Sequence, residues 1–415
     1  MHTIRTQIGI VGAGPAGLML GHLLHLAGID SFIIENRSEE YVIDRVRAGV
    51  LEQSTVDLMV ENGVGDRLQR EGMSHDGIYI NVFGKRHRID FAELIGRRIT
   101  VYGQNEVVKD LIAARHKSGR PLRFNVADVS VHDLESNQPK IRFTEDDESH
   151  EIRCDFIAGC DGFHGICRPS IPASSIHIYE RVYPFGWLGI LATAPPSSPE
   201  LVYSRHERGF ALFSMRSNSV TRLYLQCAPD EDLAKWSDDR IWDELLTRLR
   251  SEDGWKPNVG PITQKGVTGM RSFVTEPMRY GNLFLAGDAA HIVPPTGAKG
   301  LNLAMADIWR LTRAIQCFYE LKSQTLLDRY SEHCLQRVWR AQQFSWWMTS
   351  LLHRPDTANS FDFRRQHAEL DYVTSSPIAM MGLAENYVDF LYRRPYRKPS
   401  QDEHHACRCH CSAHE

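Results

Sequence analysis

The chain opens with a buried-strand pattern that changes to a helical pattern and back within about thirty residues. Residues 7–11 are mostly apolar, which predicts a short strand, and leucines then recur at helical spacing from Leu18 to Ala27. A second apolar run, SFIIE, predicts a strand that ends at Glu35. A strand, a helix and a second strand in this order predict a parallel α/β unit.

The pattern of a strand followed by an acidic turn returns twice farther along the chain. Residues 152–158 predict a strand that ends before Asp161, and residues 283–286 predict another that ends before Asp288. An Asp-Gly pair such as Asp161-Gly162 is common in ordinary turns, so the first case alone has a plain structural interpretation. Two such turns in a chain that begins with an α/β unit favour a shared role.

Residues 200–227 alternate between apolar and polar positions, which predicts two strands joined by a hairpin at SNSVT. The period of two predicts two shared faces, the first with Phe210, Leu212, Ser214 and Arg216 and the second with Arg222, Tyr224 and Gln226. One guanidinium and two hydroxyls, from Arg216, Ser214 and Tyr224, would suit an anionic carboxylate. A solvated hairpin face explains the periodicity equally well.

The last third of the chain has helical periodicity. The stretches LTRAIQCFYELK and LQRVWRAQQFSWWMTSLL predict helices, and the second has a broad apolar face suited to a core or a subunit interface. That face is predicted to contain Val338, Trp339, Phe344, Trp346, Trp347 and Leu351.

Composition narrows the class of protein. A length of 415 residues allows two or three domains, or two interwoven ones, and a net charge of -4 gives no electrostatic reason to expect nucleic acid or an anionic membrane as a partner. We expect neither a targeting segment at the amino terminus nor a membrane span. Six cysteines are scattered singly, which predicts reduced thiols in a cytoplasmic protein.

The carboxyl-terminal tail is polar and contains Cys407, Cys409 and Cys411. Its spacing lacks the two-residue gaps usual in zinc sites, so the sequence predicts a disordered extension over residues 395–415 and no metal site.

The first turn has the chemistry of a dinucleotide site. Gly12, Gly14 and Gly17 follow the G-x-G-x-x-G spacing between the predicted strand and helix, and Glu35 ends the second strand. The glycines permit a tight turn, close approach of the backbone to a pyrophosphate and close helix–strand packing. The helix N-terminus favours phosphate, and the acid accepts from ribose hydroxyls. A glycine-rich turn without a ligand is the alternative, but the whole unit favours dinucleotide binding.

The fingerprint, the central DG motif and the late GDAAHIVPPTGAKGLNLA stretch together resemble the class A flavoprotein aromatic hydroxylases. The resemblance covers nearly the whole chain. It narrows to the branch acting on 4-hydroxybenzoate through YVIDRVRAGVLEQ, IAGCDGFHGI, ERVYPFGWLG, RGFALFSMRS, FSWWMTSLLHR and AENYV.

The resemblance implies a Rossmann-like FAD-binding domain with an inserted antiparallel substrate sheet and carboxyl-terminal helices. It implies FAD contacts at Gly12, Gly14, Gly17, Glu35, Arg45, Arg47, Gln104, Asp161, Asp288, Leu301 and Asn302. It implies that NADPH or NADH binds in a groove at Arg47, His164, Arg168 and Arg271. A helix N-terminus near residues 297–302 would stabilise the anionic reduced flavin.

The resemblance also implies the reaction: reduced flavin captures O2 as a 4a-hydroperoxide, which hydroxylates 4-hydroxybenzoate ortho to its phenol and gives 3,4-dihydroxybenzoate. The implied substrate-binding residues are Tyr203, Ser214, Arg216, Tyr224 and Pro295. The implied catalytic residues are Tyr203, Tyr387, His75, Pro295 and Arg222. Tyr203, Tyr387 and His75 would conduct the phenol proton to solvent, and Arg222 would act near the flavin and help its movement.

Three further expectations accompany this resemblance. Asn36 stands where NADPH-specific relatives have a basic residue, and Glu39 and Glu40 would repel a 2′-phosphate, so we expect either coenzyme, or NADH, to be usable. The family is homodimeric, which favours a homodimer. The expected division is a first FAD-binding part at 1–180 with a small β excursion near 74–100, a substrate sheet at 181–270, and a returning FAD segment with helices at 271–394.

Other classes fit the chain less well. A hydroxylase of 3-hydroxybenzoate, salicylate or an aminobenzoate would share every motif except the details of the pocket. A flavin-dependent halogenase would require a W-x-W-x-I-P motif, which the sequence lacks. A non-catalytic FAD-binding or redox-sensing protein would not need the set of polar pocket residues.

Overall fold

A computed structural model of the protein describes residues 2–45, 49–354 and 359–388. Arg47 and the predicted tail, with its three cysteines, lie outside the described residues. The strands of the described part are, in chain order, β1 His2–Arg5, β2 Ile8–Val11, β3 Ser31–Ile34, β4 Val50–Glu52, β5 Met73–His75, β6 Gly77–Val82, β7 Lys85–Asp90, β8 Ile99–Val101, β9 Leu122–Arg123, β10 Ala127–His132, β11 Lys140–Glu145, β12 Glu148–Arg153, β13 Phe156–Gly159, β14 His177–Thr193, β15 Val202–His206, β16 Gly209–Met215, β17 Val220–Cys227, β18 Ile262–Glu276, β19 Arg279–Tyr280, β20 Leu283–Leu285 and β21 His291–Ile292.

The helices begin mostly at residues that favour helix starts, as Pro15 does in α1 and Asn359, with its capping box, does before α11. They are α1 Pro15–Leu26, α2 Glu39–Asp44, α3 Gln53–Glu61, α4 Asp66–Glu71, α5 Phe91–Ile95, α6 Gln104–Lys117, α7 Asp238–Arg248, α8 Gly300–Leu321, α9 Thr325–Asp328, α10 Tyr330–Leu352, α11 Ser360–Ser375 and α12 Pro377–Tyr387. No helix in the described ranges has the length and apolar character needed to cross a membrane.

A six-stranded sheet in the order β19-β20-β13-β2-β3-β9 forms the centre of the predicted dinucleotide unit. Its strands are parallel except β19, which pairs antiparallel with β20. Three strands are followed by a glycine-rich or acidic turn in the sequence, and all three are adjacent in this sheet: β20, β13 and β2. Helices α1 and α8 pack together beside this sheet, and its apolar residues form the first of two buried clusters.

The second large sheet has eight strands in the order β21-β18-β14-β17-β16-β15-β6-β7. It is antiparallel except where β15 runs parallel to β6. Its long strands β14 and β18 continue through positions 181 and 270, and β6 and β7, from the predicted β excursion, form one of its edges. The mixed α/β fold with an antiparallel sheet is confirmed.

One strand prediction is wrong in detail. Residues 152–158 do not form a single strand, because the chain leaves one sheet and enters another at Cys154 and Asp155. β12 pairs with β1 and β11 in a four-stranded sheet, and β13 enters the parallel sheet. Asp155 anchors the crossing point, where its carboxylate accepts hydrogen bonds from Arg5 and from the hydroxyl of Tyr319. The charged residues Arg153 and Asp155 interrupt the apolar pattern at this point, but the prediction treated the stretch as one strand.

The tryptophan-rich helix is the predicted α10, but its apolar residues do not share one buried face. Val338, Phe344 and Leu351 are buried, whereas the side chains of Trp339 and Trp346 are 41% and 37% exposed. Adjacent helical residues point about 100° apart, so a run this dense in apolar residues covers more than the core-facing side.

Candidate active site

The dinucleotide motif lies at the carboxyl edge of the parallel sheet, between β2 and α1. Gly12 has φ +105°, and a Cβ at this position would lie 2.4 Å from the carbonyl oxygen of Cys160. A Cβ on Gly17 would lie 2.0 Å from the carbonyl oxygen of Gly12. Gly14, directly before α1, has no neighbouring atom within 4 Å of its Cβ position, so a phosphate group has open access to the helix N-terminus.

Glu35 is held beside the glycine turn by two backbone N–H groups. Its Oε2 accepts a hydrogen bond of 2.8 Å from the backbone N–H of Ala13, and its Oε1 accepts one of 3.0 Å from the backbone N–H of Arg37. The glycine turn and the acid are therefore joined across β2 and β3. A free glycine edge, a helix N-terminus and an oriented carboxylate fit the diphosphate and ribose of FAD.

The two later acids lie beside this turn. Asp161 follows β13, and its Oδ2 accepts from the backbone N–H of Cys167 at 2.9 Å. Its Oδ1 is buried with no hydrogen-bond partner among the described residues, and burial raises the pKa of this carboxyl. Asp288 stands in a short 3-10 turn, Gly287–Ala289, after β20. An unsatisfied buried oxygen and a partly exposed acid at one edge are suited to a hydroxyl-rich chain such as the ribityl of FAD.

A buried carboxylate that the sequence analysis missed holds the turn of Asp288. Asp307 on α8 accepts from the backbone N–H of Gly287 at 3.1 Å, and its Oδ2 lies 2.6 Å from Nε2 of His291. Burial lowers the pKa of His291, but the neighbouring Asp307 outweighs burial and raises it. The turn is thus fastened at both ends to one carboxylate. The only sequence signal was an acid within an apolar helix.

The start of α8 is the second predicted contact region for the flavin. Gly300 begins the helix, with no atom within 4 Å of its Cβ position, and Leu301 is half-buried beside it. The side chain of Asn302 is satisfied by protein, because its Oδ1 accepts from the N–H of Glu52 and the hydroxyl of Thr55. The backbone N–H groups at the start of α8, rather than the side chain of Asn302, are therefore the groups in this region that can reach a ligand.

Two other predicted FAD contacts lie at helix ends. Gln104 begins α6, and Arg45 ends α2. Arg47 is outside the described residues.

The predicted hairpin is present, although β17 begins at Val220, within the predicted SNSVT connection. Ser214 on β16 pairs with Arg222 on β17, and Leu212 pairs with both Tyr224 and Tyr203. Because paired residues and residues two apart share a face, the side chains of Tyr203, Ser214 and Tyr224 project from one face of three adjacent strands. Arg216 lies just past the end of β16.

The charges at this end of the hairpin favour an anion. Burial raises the pKa of Tyr224, but the guanidinium groups of Arg216 and Arg222 outweigh it, and the resulting pKa is lowered. The pKa of Arg216 is lowered too, but in that case by burial of the guanidinium group. Two cations against one hydroxyl in a dry environment are suited to a carboxylate.

A pair of tyrosines occupies the other end of the face. The hydroxyls of Tyr203 and Tyr387 lie 2.6 Å apart, and the Tyr203 hydroxyl donates to the carbonyl of Thr296 at 3.3 Å. Both tyrosines are 1% exposed, and burial raises the pKa of each. Thr296 follows Pro295 in the 3-10 turn Pro295–Gly297. The structure therefore brings Tyr203, Tyr387 and the Pro295 turn together.

His75, at the end of β5, is also buried. Burial lowers its pKa to about 4, against an opposing effect of Glu200, and neither ring nitrogen has a hydrogen-bond partner among the described residues. The imidazole is neutral at pH 7 and has capacity to accept a proton.

A buried charge network behind the tyrosines was not predicted. Lys299 donates to Glu52 at 2.6 Å and to the carbonyl oxygen of Tyr387 at 2.9 Å, and Arg337 donates to the other oxygen of Glu52 at 2.6 Å. All three charged side chains are 5% exposed or less. Glu52 and Lys299 were within quoted motifs, but the distant Arg337 gave no sign of joining them.

Three of the four predicted nicotinamide-coenzyme residues lie within the described residues, and they surround one aromatic ring. The guanidinium groups of Arg168 and Arg271 lie 4.8 Å and 4.5 Å from the ring centre of Phe163, and the ring of His164 lies edge-on to it. Arg168 also donates to the carbonyl of Ala289 at 3.0 Å, which links this group to the turn of Asp288.

These features define a class. A glycine-rich dinucleotide edge, two later acids beside it and a set of buried polar side chains on an antiparallel sheet are the parts of an FAD-dependent monooxygenase. A family model described as an FAD binding domain matches residues 5–345. The chain belongs to this FAD-binding family and to the class A flavoprotein aromatic hydroxylases, enzymes that use FAD with NAD(P)H and O2 as co-substrates.

Individual relatives narrow the comparison. The p-hydroxybenzoate hydroxylase of Acinetobacter baylyi is 51% identical over 393 residues, which cover 94% of this chain and 97% of that protein. A rifampicin monooxygenase of Rhodococcus hoagii is 24% identical and covers 93% of this chain and 75% of its own. Among solved structures, p-nitrophenol 4-monooxygenase from Pseudomonas putida matches with a TM-score of 0.79 at 18% identity, over 95% of this chain and all of that one, which concerns the fold alone.

Proposed function

We propose that the protein hydroxylates 4-hydroxybenzoate at the ring carbon ortho to the phenol and releases 3,4-dihydroxybenzoate. The observation that carries this proposal is 51% identity to a p-hydroxybenzoate hydroxylase over nearly the whole of both chains. The pocket supports it, because a cationic end at Arg216 and a hydroxyl end at Tyr203 match a carboxylate and a phenol at opposite ends of one ring.

The bound flavin supplies the redox chemistry, since it accepts a hydride from NAD(P)H and transfers one oxygen atom from O2 to the ring. The protein's part begins with orientation. Arg216, with Ser214 and Tyr224, would bind the carboxylate, and the cost of burying that anion is offset by charge-assisted hydrogen bonds. A ring fixed at its carboxylate presents its phenol to Tyr203.

Removal of the phenol proton makes the ring electron-rich at the ortho carbon. An ordinary phenol has a pKa near 10, so the pocket must favour the phenolate. In the proposed path the phenol donates to Tyr203, whose own proton turns from the carbonyl of Thr296 to Tyr387 over the 2.6 Å contact, and Tyr387 passes its proton to neutral His75 for release to solvent. Burial of these groups also excludes water from the reacting ring.

NADH is proposed as a usable coenzyme alongside NADPH. Glu39 and Glu40 lie in the first turn of α2, two positions beyond Arg37, and a hydrogen bond to its own backbone lowers the pKa of Glu40. Two ionised acids at this site disfavour an added 2′-phosphate. Contacts from Arg168, His164 and Arg271 to the coenzyme belong to the same proposal.

The remaining proposals concern organisation. FAD would be held by residues 1–180 and by the segment from 271 onward, and the substrate mainly by residues 181–270. A homodimer is supported by the exposed Trp339 and Trp346 on α10, and light scattering of the purified protein measures it. A cytoplasmic location is supported by six cysteines that are free thiols in the described residues.

A substrate panel tests the central proposal. NADH and NADPH oxidation is measured with 4-hydroxybenzoate, 3-hydroxybenzoate, salicylate and 4-aminobenzoate, and each product is identified by mass. We expect stimulation and a catechol product with 4-hydroxybenzoate alone among the four. A catechol from 3-hydroxybenzoate or salicylate, with none from 4-hydroxybenzoate, would replace the substrate while leaving the enzyme class intact.

A further inference from the structure

The last turn of α10, from Thr349 to His353, is buried between the two ends of the proposed substrate pocket. Both side chains are 0% exposed. Each side chain is hydrogen-bonded to a group beside the face of the sheet where the substrate would lie, and the ring of His353 also packs on Phe210 of that face. The side chain of Thr349 faces the hydroxyl end, and the ring of His353 faces the carboxylate end.

Thr349 fixes the turn that meets Tyr203. Its Oγ1 lies 2.7 Å from the carbonyl oxygen of Ser345 and 2.9 Å from Oγ1 of Thr296. A hydroxyl has one proton to donate, so Thr349 donates to the carbonyl and accepts from Thr296. The rotamer of Thr296 is thereby set from α10. The carbonyl of Thr296 in turn accepts from Tyr203 at 3.3 Å, and Tyr203 adjoins Tyr387.

His353 fixes the ring that packs on Tyr224. Its Nδ1 lies 2.9 Å from the carbonyl oxygen of Thr349, and its Nε2 lies 2.7 Å from Nε1 of Trp187. The carbonyl only accepts and the indole N–H only donates, so the imidazole carries its proton on Nδ1 and is neutral. Burial lowers the pKa of His353 to about 3, which is consistent with that state. The ring centre of Trp187 is 4.8 Å from that of Tyr224.

The packing leaves the imidazole no freedom to turn. The rings of Phe185 and Phe210 lie 4.7 Å and 4.4 Å from that of His353, in stacked arrangements. At the other end a Cβ on Gly297 would lie 2.7 Å from Oγ of Ser345, so α10 also packs directly against the turn that contains Thr296. Positions held by both packing and hydrogen bonds are precise, which is what a catalytic pocket requires.

We propose that Thr349 and His353 are positioning residues that set the two ends of the pocket separately. Thr349 orients the acceptor and hydroxyls at the phenol end, through Thr296. His353 holds Trp187 against Tyr224 at the carboxylate end. This proposal rests on the proposed 4-hydroxybenzoate activity and adds which residues outside the pocket determine its geometry.

The test uses two ligands that separate the ends. Benzoate has only the carboxylate, and 4-hydroxybenzoate has both groups. Binding of each to the FAD-loaded protein is measured from the flavin spectrum, and ionisation of bound 4-hydroxybenzoate from its phenolate absorbance against pH. The variants are Thr349→Val, Thr349→Ser, His353→Phe and His353→Gln. Thr312→Val is the matched control, because Thr312 is a buried helical threonine that donates to the carbonyl of Ile308 on α8.

Thr349→Val is expected to lower the phenolate fraction at a given pH about tenfold, which corresponds to about one unit in the pKa of the bound phenol. Its dissociation constant for benzoate is expected to stay within about twofold of the wild type, and Thr349→Ser is expected to restore ionisation. His353→Phe leaves the indole N–H of Trp187 unsatisfied and is expected to weaken binding of both ligands about tenfold, with no shift in ionisation.

Four outcomes would overturn the proposal. Thr349→Val with the ionisation curve of Thr312→Val would remove the role of Thr349. Variants at Thr349 and His353 that alter both readouts together would indicate general loosening rather than separate control. A wild-type protein that does not bind 4-hydroxybenzoate would remove the proposed substrate as well, which distinguishes that failure from the first two. His353→Gln keeps an acceptor for the indole N–H of Trp187 and is expected to bind benzoate more tightly than His353→Phe; equal weakening by the two variants would remove the role of the hydrogen bond.

Discussion

Replacement of Tyr203 by phenylalanine removes one oxygen atom from the centre of the proposed proton path. That oxygen lies 2.6 Å from the hydroxyl of Tyr387 and 3.3 Å from the carbonyl of Thr296, and the side chain is 1% exposed. Phenylalanine keeps the ring, so the packing of β15 is retained. The phenol would lose both its partner and its connection to Tyr387.

The magnitude follows from the burial of the pair. A positioned proton-transfer group contributes about 10²-fold to 10⁴-fold to a rate. Because Tyr203 and Tyr387 are both 1% exposed, water does not replace the lost hydroxyl, and we expect kcat for hydroxylation to fall by about 10²-fold or more. Loss of one partner from the buried Tyr387 hydroxyl would cost about 1–3 kcal/mol of folding stability. The rate of flavin reduction by NAD(P)H and the dissociation constant for benzoate should change little, because neither depends on the phenol proton.

Rapid mixing separates these steps. Flavin reduction and product formation are followed in single turnovers, and thermal unfolding reports stability. Tyr330→Phe is a matched control, since Tyr330 is also 1% exposed and its hydroxyl donates to the carbonyl of Leu285, away from the pocket. If Tyr203→Phe hydroxylates 4-hydroxybenzoate within threefold of the rate of the control, the proton path as described is wrong.

Three further predictions follow from single sites. Gly12→Ala should abolish FAD retention, because its Cβ would lie 2.4 Å from the backbone carbonyl oxygen of Cys160. Gly14→Ala, which has no atom within 4 Å of its Cβ position, should retain FAD measurably but more weakly than the wild type. Equal retention by the two variants would contradict the glycine argument. Glu52→Gln leaves the buried cations Lys299 and Arg337 without their carboxylate, so it should lower the free energy of unfolding by about 3–5 kcal/mol. Denaturant titration measures this loss. A loss below about 1 kcal/mol would contradict a stabilising role of the network. Burial gives His75 a folded-state pKa of about 4, below its unfolded value of about 6.5, so its contribution to stability is present above pH 6.5 and is lost as pH falls towards 4. His75→Gln should therefore flatten the pH dependence of the free energy of unfolding between about pH 4 and pH 6.5. An unchanged slope in that range would contradict this prediction.

The local pattern of the sequence was sufficient for much of the fold. The strand, helix and strand around Gly12, the hairpin that contains Ser214 and Arg222, and the strand before Asp288 all have short-range signals, because periodicity and turn chemistry act within a few residues. The break at Cys154 was not predicted, since Arg153 and Asp155 beside it could equally stand on the polar face of one continuous strand. Pairing partners are a long-range property.

The site divides in the same way. Residues within the recognised motifs, such as Tyr387 in AENYV, were named by resemblance, and the structure brings Tyr387 against Tyr203, 184 residues away. Side chains that act through three-dimensional contacts were missed. Asp307, Arg337 and His353 lie on helices where a single polar residue resembles any other, and only the folded chain shows what each one touches.

Incorporation of labelled oxygen tests the central claim most directly. The purified protein is supplied with FAD, NADH or NADPH, 4-hydroxybenzoate and ¹⁸O₂, and the product is analysed by mass. A flavin-dependent hydroxylase acting on this substrate predicts 3,4-dihydroxybenzoate that contains one atom of ¹⁸O for each coenzyme oxidised. Coenzyme oxidation that yields hydrogen peroxide while the 4-hydroxybenzoate is recovered unreacted would contradict the proposed reaction.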